Sequence, residues 1–332
     1  MDSGPARRLL PLFGLVPAPE TPALPPLPGS PERCVERFAC ADAEGRAWLL
    51  ERLAPAQAPR REQIARLLCA LCAADPELAR LVPAYRPLAD GNFVLRIATG
   101  PDAGCWQLSP LIAHVPLPRP GYLDQSWRGE AVAGLLLRLQ AAGGSLPAPL
   151  TPQAPSADLP AYAHELFASI ATHRPGLLPR LTPLRAHVDT LPELLAAQPV
   201  ALVHGDLHPL NILWGAGPQE PVLSAPPIRA LIDWEFAGRG PALYDAANCI
   251  GCAAFEGPSA LSGGFVRGLV RGLALSPGQS HLLAATVPAT RLGWLSEWLR
   301  KGDAEMLEME LDYLDILLEL GPDRLSGIWL NC

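Results

Sequence analysis

The sequence predicts an α+β fold of two lobes, in which a small β-rich lobe with one helix precedes a larger, mostly helical lobe. Three observations predict this fold. The chain has 332 residues, which is enough for two modest lobes that share one site. Apolar residues alternate along short segments of the first third, and helical spacing dominates after Pro116. We place the lobes at residues 29–115 and 116–332, behind a proline-rich N-terminal segment, residues 1–28.

Composition restricts the class of partner. Hydrophobic residues make up 49% of the chain and charged residues 18%, as in a folded globular protein. The net charge is −7 and no basic stripe is present, which argues against a nucleic-acid partner. No window holds the roughly 20 uninterrupted apolar residues that a membrane span requires. Pro11 and Pro17 interrupt the apolar stretch that superficially resembles a signal peptide. We therefore predict a cytoplasmic protein with no nucleic-acid or membrane partner.

Two of the cysteine pairs have C-x-x-C spacing, Cys69/Cys72 and Cys249/Cys252. Such spacing is compatible with zinc binding. Cys69 and Cys72, however, lie within an apolar helical pattern, where residues three apart share one face. We therefore predict that this pair faces the core, and a zinc site remains the alternative.

The elements of the first lobe follow from local patterns. A short helix is predicted over residues 5–14. The seven prolines from Pro17 to Pro31 then predict an extended tether, so packed structure is expected to begin near Gly29. The elements predicted after it are two strands joined by a turn at Asp42–Arg46, a helix over 60–74, and strands over 93–98 and 105–112.

Helical periodicity organises the second lobe. The helices predicted there cover residues 127–142, 160–172, 179–197, 242–255, 260–273, 279–300 and 303–320. Residues 143–158 are rich in proline and alanine, and we predict a loop without a packed element.

Polar residues that suit phosphoryl transfer cluster in two segments of the second lobe. The segment L-V-H-G-D-L-H-P-L-N-I-L, residues 202–213, has the pattern of a buried loop between two short strands. In I-R-A-L-I-D-W-E-F, residues 228–236, an apolar β-run ends on Asp233 and a Gly/Pro turn follows. Phosphoryl transfer needs oxygen ligands for Mg²⁺ and a carboxylate that orients the attacking hydroxyl. Asp206, Asn211 and Asp233 provide this set.

These motifs resemble those of the aminoglycoside phosphotransferase and choline kinase superfamily. The family's loop H-G-D-x-x-x-x-N is matched by His204-Gly205-Asp206 and Asn211, and I-D-W-E, residues 232–235, is similar to its metal-binding motif. The resemblance implies a protein-kinase-like two-lobed fold that uses ATP and Mg²⁺. It also implies that Asp206 is the catalytic base, that Asn211 and Asp233 hold the metal, and that Asp245 is a structural anchor. We expect His204 to brace the loop.

The first lobe departs from the pattern of a kinase at one position. In A-W-L-L-E-R-L, Glu51 occupies the place that kinases of this fold give to a lysine, and Arg52 follows. This resembles the N-acetylhexosamine kinase branch, in which the strand carries glutamine and then arginine. The cationic candidates for phosphate contact are Arg33, Arg37 and Arg52. Because successive strand residues face opposite sides, Arg52 can replace the lysine only with a register shift or a bulge.

The segment W-Q-L-S-P-L-I-A-H, residues 106–114, is the expected crossover between the lobes, where backbone groups meet adenine. We assign the nucleotide contacts to Arg52, Arg33, Ile112 and His114. Glu62 on the following helix is the candidate ion-pair partner of a phosphate-binding cation, and the alternative, which the pattern favours, is that it lies on an exposed helix face.

The acceptor is expected to contact the C-terminal helices. Arg291, Trp294, Glu297 and Trp298 recur at spacings of three and four on one helix, where tryptophan and carboxylate can cage a cation or simply pack. The sequence thus predicts an ATP-dependent kinase that phosphorylates a hydroxyl of a small molecule: a sugar, an amino sugar or an amino alcohol. The alternative, indicated by Glu51, is a catalytically inactive kinase-like binding protein.

Overall fold

The alternating residues of the first lobe form a four-stranded antiparallel sheet in the computed structural model, which describes residues 4–19, 34–215 and 227–330. The strands are β1 (Cys34–Ala41), β2 (Ala47–Leu53), β3 (Leu95–Ile97) and β4 (Gly104–Pro110), and their spatial order is β1-β2-β4-β3. The predicted hairpin with its turn at residues 42–46 is confirmed.

The pleat of this sheet separates two sets of side chains. Trp48 and Leu50 on β2 share one face of the sheet with Trp106 and Leu108 on β4. Leu50 lies directly opposite Leu108, and residues two apart on a strand point to the same face. Glu51 belongs to the other face, opposite Arg37 of β1 and Gln107 of β4. The irregularity in the β1–β2 register lies between Cys34 and Glu36, so it does not alter the facing of Glu51 or Arg52.

The N-terminal residues cover the apolar face of the sheet. α1 (Pro5–Leu9) continues into a 3₁₀ turn, Leu10–Phe13, and Leu9, Leu10 and Phe13 are buried against the sheet. Arg8 adds a two-point ion pair to Asp102, with Nε–Oδ2 and Nη2–Oδ1 distances of 2.7 Å. The prediction that packed structure begins near Gly29 was therefore wrong. Gly29 itself and most of the predicted tether lie outside the described residues.

Helix α2 (Ala58–Ala74) follows the hairpin, as predicted, and a four-residue helix that was not predicted, α3 (Leu78–Leu81), comes after it. α2 buries Ile64, Leu67, Leu68 and Leu71. Cys69 is exposed and Cys72 is half-buried, so the predicted burial of this pair was wrong for Cys69. The four apolar positions already fill the inward stripe of the helix, which places Cys69 outside it.

The second lobe is mostly helical and contains two short antiparallel sheets of two strands each. Its helices are α4 (Ser126–Gly144), α5 (Leu159–His173), α6 (Leu178–Val188), α7 (Leu191–Ala196), α8 (Tyr244–Phe255), α9 (Gly264–Leu273), α10 (Pro277–Thr290), α11 (Leu292–Lys301) and α12 (Ala304–Leu330). Two of the predicted helices, 179–197 and 279–300, are each divided into two. α12 extends ten residues beyond its predicted end and bends at Gly321, whose φ is +66°. No helix in the described ranges is long and apolar enough to cross a membrane.

Four short strands frame the polar loop of this lobe. β5 (Val200–Val203) pairs with β8 (Gly238–Pro241), and β6 (Ile212–Trp214) pairs with β7 (Ile228–Leu231). The predicted strands on both sides of the loop are confirmed. Where a Gly/Pro turn was predicted after Asp233, residues 238–241 instead form β8, because its backbone completes the hydrogen bonds of β5. The loop 143–158 also packs against β8. The backbone amide of Arg239 donates to the Pro152 carbonyl oxygen, and the backbone amide of Ala154 donates to the Arg239 carbonyl oxygen.

Candidate active site

A buried carboxylate anchors the polar loop that follows β5. Asp245, in the first turn of α8, accepts hydrogen bonds from the backbone amides of His204 at 2.6 Å and Gly205 at 2.9 Å. Gly205 has a φ of +82°, and a Cβ there would lie 2.4 Å from the Phe236 carbonyl oxygen. Only glycine adopts this conformation at this distance without strain. Burial, partly offset by the two amides, raises the pKa of Asp245 to about 6.

His204 joins the loop to the segment that carries Asp233. Its Nε2 lies 2.8 Å from the Ile232 carbonyl oxygen, and its Nδ1 lies 3.3 Å from the Asp206 amide. Nε2 must therefore donate and Nδ1 accept, which is the pattern of a neutral imidazole. Burial lowers the pKa of His204 to about 3, and its ring meets Trp234 edge-on at 4.8 Å. His204 thus stays uncharged at neutral pH.

Asn211 stands between the two predicted catalytic carboxylates. Its Nδ2 donates to the Asp206 carbonyl oxygen at 2.9 Å and to the Asp206 Oδ2 at 3.2 Å. Its backbone oxygen accepts from the Ile232 amide at 2.9 Å, next to Asp233. Asp233 has left-handed backbone angles, φ 62° and ψ 56°. Such a conformation in a non-glycine residue costs roughly 1–3 kcal/mol and is common at functional sites. The structure thus brings Asp206, Asn211 and Asp233 together; their catalytic and metal-binding roles remain predictions.

The donor set suits a magnesium ion. Because the Asn211 Nδ2 is held by Asp206, the amide oxygen is the atom that remains for a cation. Together with the Asp233 carboxylate it provides two oxygen ligands. Mg²⁺ prefers oxygen, keeps several waters and takes further ligands from phosphates, so two protein ligands are sufficient. Within the described ranges, no group of three or more His, Cys, Asp or Glu residues could hold a metal.

A cleft between the lobes adjoins this set. It encloses about 180 Å³, and its lining includes Tyr85, Ile112 and His114 as well as the charged residues Arg37 and Asp233. The structure thus places Ile112 and His114 at the cleft where adenine contact was predicted. Their role in binding stays a prediction.

Arg52, one of the two arginines assigned to the nucleotide, does not line this cleft. Arg52 lies on the opposite face of β2, where it pairs with Glu36 at 3.2 Å and donates to the Ala103 carbonyl at 2.6 Å. That assignment is corrected, because the regular pleat turns Arg52 away from Glu51 and the cleft. Arg33 lies outside the described residues.

A network of alternating charges runs from the sheet to the segment after Asp233. Arg37 Nε donates to Glu51 Oε1 at 2.9 Å, and Arg61 Nη2 donates to Glu51 Oε2 at 2.5 Å. Arg61 Nη1 also donates to Glu235 Oε1 at 2.6 Å. Glu51 is 3% exposed and Arg61 is 5% exposed, so both charges depend on these partners.

Arg61 was missed by the sequence analysis, which considered Glu62 as the ion-pair partner on this helix. Glu62 instead accepts from the Phe93 and Val94 amides at 2.8 and 2.9 Å, away from Glu51. The available signal was the buried strand carboxylate itself, since it requires a cation nearby. The neighbouring Arg60 donates to the carbonyl oxygens of Glu235 and Ala237, so both arginines connect α2 with the second lobe.

Aromatic rings extend from Asp206 along α11. Trp294 stacks on Trp298 with ring centroids 5.6 Å apart, and it meets the His208 ring edge-on at 6.0 Å. His208 Nε2 lies 4.0 Å from Asp206 Oδ2. Burial, followed by the positive charge of Arg291, lowers the pKa of His208 to about 4, so this imidazole is neutral at pH 7. We call His208, Trp294 and Trp298 the aromatic wall.

Most of the chain matches one family of known proteins. Residues 35–283 match the model of the phosphotransferase enzyme family. No curated protein sequence matches the chain.

Solved structures show the same fold at low sequence identity. The GDP complex of an aminoglycoside 2'-phosphotransferase-IIIa has a TM-score of 0.63 at 15% identity, covering 95% of this chain and 96% of that one. The amicoumacin kinase hAmiN has a TM-score of 0.66 at 14% identity, covering 96% and 94%. A choline/ethanolamine kinase family protein from Mesorhizobium loti has a TM-score of 0.59 at 15% identity, with 92% of each chain covered. The predicted protein-kinase-like fold is confirmed.

Proposed function

The chain belongs to the phosphotransferase enzyme family, and from this premise we propose that it transfers the γ-phosphate of ATP to a hydroxyl group of a sugar, an amino sugar or an amino alcohol. Membership confirms the resemblance seen in the H-G-D and I-D-W-E motifs and makes the protein a phosphotransferase. One observation carries the finer proposal. The side-chain amide of Asn211 donates to the Asp206 carboxylate, and its backbone carbonyl accepts from Ile232, the residue before Asp233. Hydrogen bonds thus link the proposed base to the two proposed metal-binding segments.

Each member of this unit has a distinct task in the proposed reaction. Asp206 accepts the proton of the acceptor hydroxyl as the hydroxyl oxygen attacks the γ-phosphorus of ATP, the bond from that phosphorus to the bridging oxygen breaks, and ADP leaves. The contact of Asn211 Nδ2 with Asp206 Oδ2 orients the carboxylate. Asn211 and Asp233 would hold Mg²⁺, which neutralises phosphate charge when bound. His204 and Asp245 keep the loop in place through backbone contacts and move no proton.

The surroundings of the aromatic wall favour a neutral sugar over a cationic amine. Glu297 is paired with Arg300 at 2.9 Å and with Lys301 at 3.1 Å. The Lys301 ammonium already lies 5.1 Å from the centre of the Trp298 ring. A cationic acceptor would have to compete with Lys301 for that ring, whereas a sugar can stack on tryptophan through its C–H face.

A second candidate function is that of a kinase-like binding protein without turnover. The presence of Glu51 at the position usually filled by lysine favours this alternative. The intact set of Asp206, Asn211 and Asp233 favours the enzyme, since binding alone would not need a positioned base.

The proposal is tested by measuring ADP release from the purified protein with Mg·ATP against a panel of sugars, amino sugars, choline, homoserine and aminoglycosides. We expect acceptor-dependent turnover with at least one class. Asp206→Asn should lower that turnover by about 10²–10⁴-fold, the usual contribution of a general base, while Mg·ATP binding is kept.

Asp189→Asn serves as the matched control, because Asp189 is an exposed residue of the same lobe. Turnover of Asp206→Asn within twofold of the control would contradict the role of Asp206. Binding of Mg·ATP without turnover on any acceptor would favour the binding-protein alternative.

A further inference from the structure

The chain contains a single lysine, Lys301, which is unusual for a kinase fold. Lys301 lies at the end of α11 in the helical lobe and pairs with Glu297 at 3.1 Å. A kinase fold normally uses a strand lysine, paired with a helix glutamate, to contact the phosphates of the nucleotide. Arginine is therefore the only permanently charged cation among the side chains of the first lobe, residues 29–115.

The polarity of the strand–helix ion pair is reversed in this protein. The strand supplies a carboxylate, Glu51, and the helix supplies a guanidinium, Arg61. A carboxylate repels phosphate, so Glu51 cannot itself replace the lysine. Arg61 is also a poor phosphate ligand, because it is 5% exposed and donates to carboxylates from both Nη atoms.

Arg37 differs from Arg61 in exposure and position. It stands directly opposite Glu51 in the β1–β2 register, and its side chain is 21% exposed. Both arginines line the interlobe cleft, as do Glu51 and Asp233, the proposed metal ligand, but the side chain of Arg61 is only 6% exposed. Glu51 Oε1 holds the Arg37 Nε at 2.9 Å, which fixes one edge of the guanidinium.

We propose that Arg37 binds the phosphate groups of the nucleotide in place of the strand lysine, with Glu51 as its positioning residue. Arg61 holds the second oxygen of Glu51, and Glu235 holds Arg61, so the orientation of Arg37 is coupled to the segment that follows Asp233. The phosphate-binding cation has thus moved to the neighbouring strand, on the same face of the sheet. This inference rests on the proposed function, because it presumes a nucleotide in the cleft.

The test compares two arginines on adjacent strands. Arg37→Met is expected to raise the dissociation constant for Mg·ATP and for Mg·ADP at least tenfold by calorimetry, since hydrogen bonds to charged groups contribute about 1.5–3 kcal/mol. Adenosine, which lacks phosphates, should bind Arg37→Met and the wild type equally. Arg52→Met is the matched control, because Arg52 lies on the opposite face of the sheet and pairs with Glu36. The affinity of the Arg52→Met variant for Mg·ATP should stay within twofold of wild type.

A conservative variant separates phosphate binding from a fault in folding. Arg37→Lys keeps the charge, so it should recover part of the Mg·ATP affinity lost in Arg37→Met while adenosine binding stays constant. Equal Mg·ATP affinity of wild type and Arg37→Met would overturn the inference and leave the proposed function standing. A wild-type protein that binds neither Mg·ATP nor Mg·GTP would refute the proposed function and this inference with it.

Discussion

The buried ion pair between Arg291 and Glu310, behind the aromatic wall, should make the second lobe sensitive to the loss of either partner alone. Arg291 donates from Nε and Nη2 to the two Glu310 oxygens at 2.8 and 2.6 Å. The two side chains are 2% and 0% exposed. The guanidinium also lies over the rings of Phe255 at 4.8 Å and Tyr313 at 5.4 Å. The informative perturbation is Arg291→Met, which keeps an apolar stem and removes the charge.

The expected magnitude follows from the burial of the partner that remains. Arg291→Met leaves Glu310 with a neutral donor, the Trp298 Nε1 at 3.3 Å. Breaking a buried pair from one side costs about 3–5 kcal/mol, against a total stability of about 5–15 kcal/mol for a typical domain.

The assay is urea-induced unfolding at neutral pH, followed by far-ultraviolet circular dichroism. Arg291→Met/Glu310→Leu is the matched control: with both charges removed, stability should return to within about 1 kcal/mol of wild type or exceed it. A loss below about 1 kcal/mol in Arg291→Met would refute the reasoning. So would a double variant as unstable as the single one.

Two further predictions concern the polar loop. Gly205→Ala should destabilise the protein by more than about 1–2 kcal/mol and abolish turnover, because residue 205 has a positive φ and the added Cβ would meet the Phe236 carbonyl. The control is Gly134→Ala, at an exposed helical glycine where an added Cβ would meet no neighbouring residue within 4 Å. This variant should instead have a raised melting temperature. Normal turnover in Gly205→Ala would contradict this account of the loop. Burial, followed by the charge of Arg291, lowers the pKa of His208 from 6.5 in the unfolded chain to about 4 in the folded protein. Between pH 6.5 and pH 4 only the unfolded state binds a proton at His208, so the free energy of unfolding falls as the pH drops through this range. His208→Gln should flatten the pH dependence of unfolding by up to about 3 kcal/mol, and an unchanged slope from pH 6.5 to 4 would show that His208 is not held neutral.

Features that depend on local spacing were predictable from the sequence. The hairpin of β1 and β2, helix α2 and the strands around Asp206 each follow from periodicity within a short window. Asp206 and Asn211 are five positions apart on one loop, so their contact is nearly local. Asp233 joins them through the pairing of β6 with β7, whereas the motif resemblance indicated only that the three residues share one site.

Features that depend on how elements pack were not predictable. The identity of the Glu51 partner depends on how α2 is rotated against the sheet, and a rotation by one residue exchanges Arg61 for Glu62 on the inner side. β8 has the sequence G-R-G-P, which has low strand propensity, and it forms because β5 offers an open edge. Leu9, Leu10 and Phe13 lie between prolines in a stretch too short to show periodicity, so their burial in the first lobe left no local signal.

The placement of these three N-terminal residues bears on how the protein can be produced. An expression plasmid that started the chain at residue 29 would leave Trp48, Leu50 and Trp106 with one side open to water. A contiguous apolar patch of this kind promotes self-association, so such a product should accumulate in inclusion bodies. An affinity tag placed ahead of residue 4, with α1 retained, keeps the sheet covered and the material usable for every assay described above.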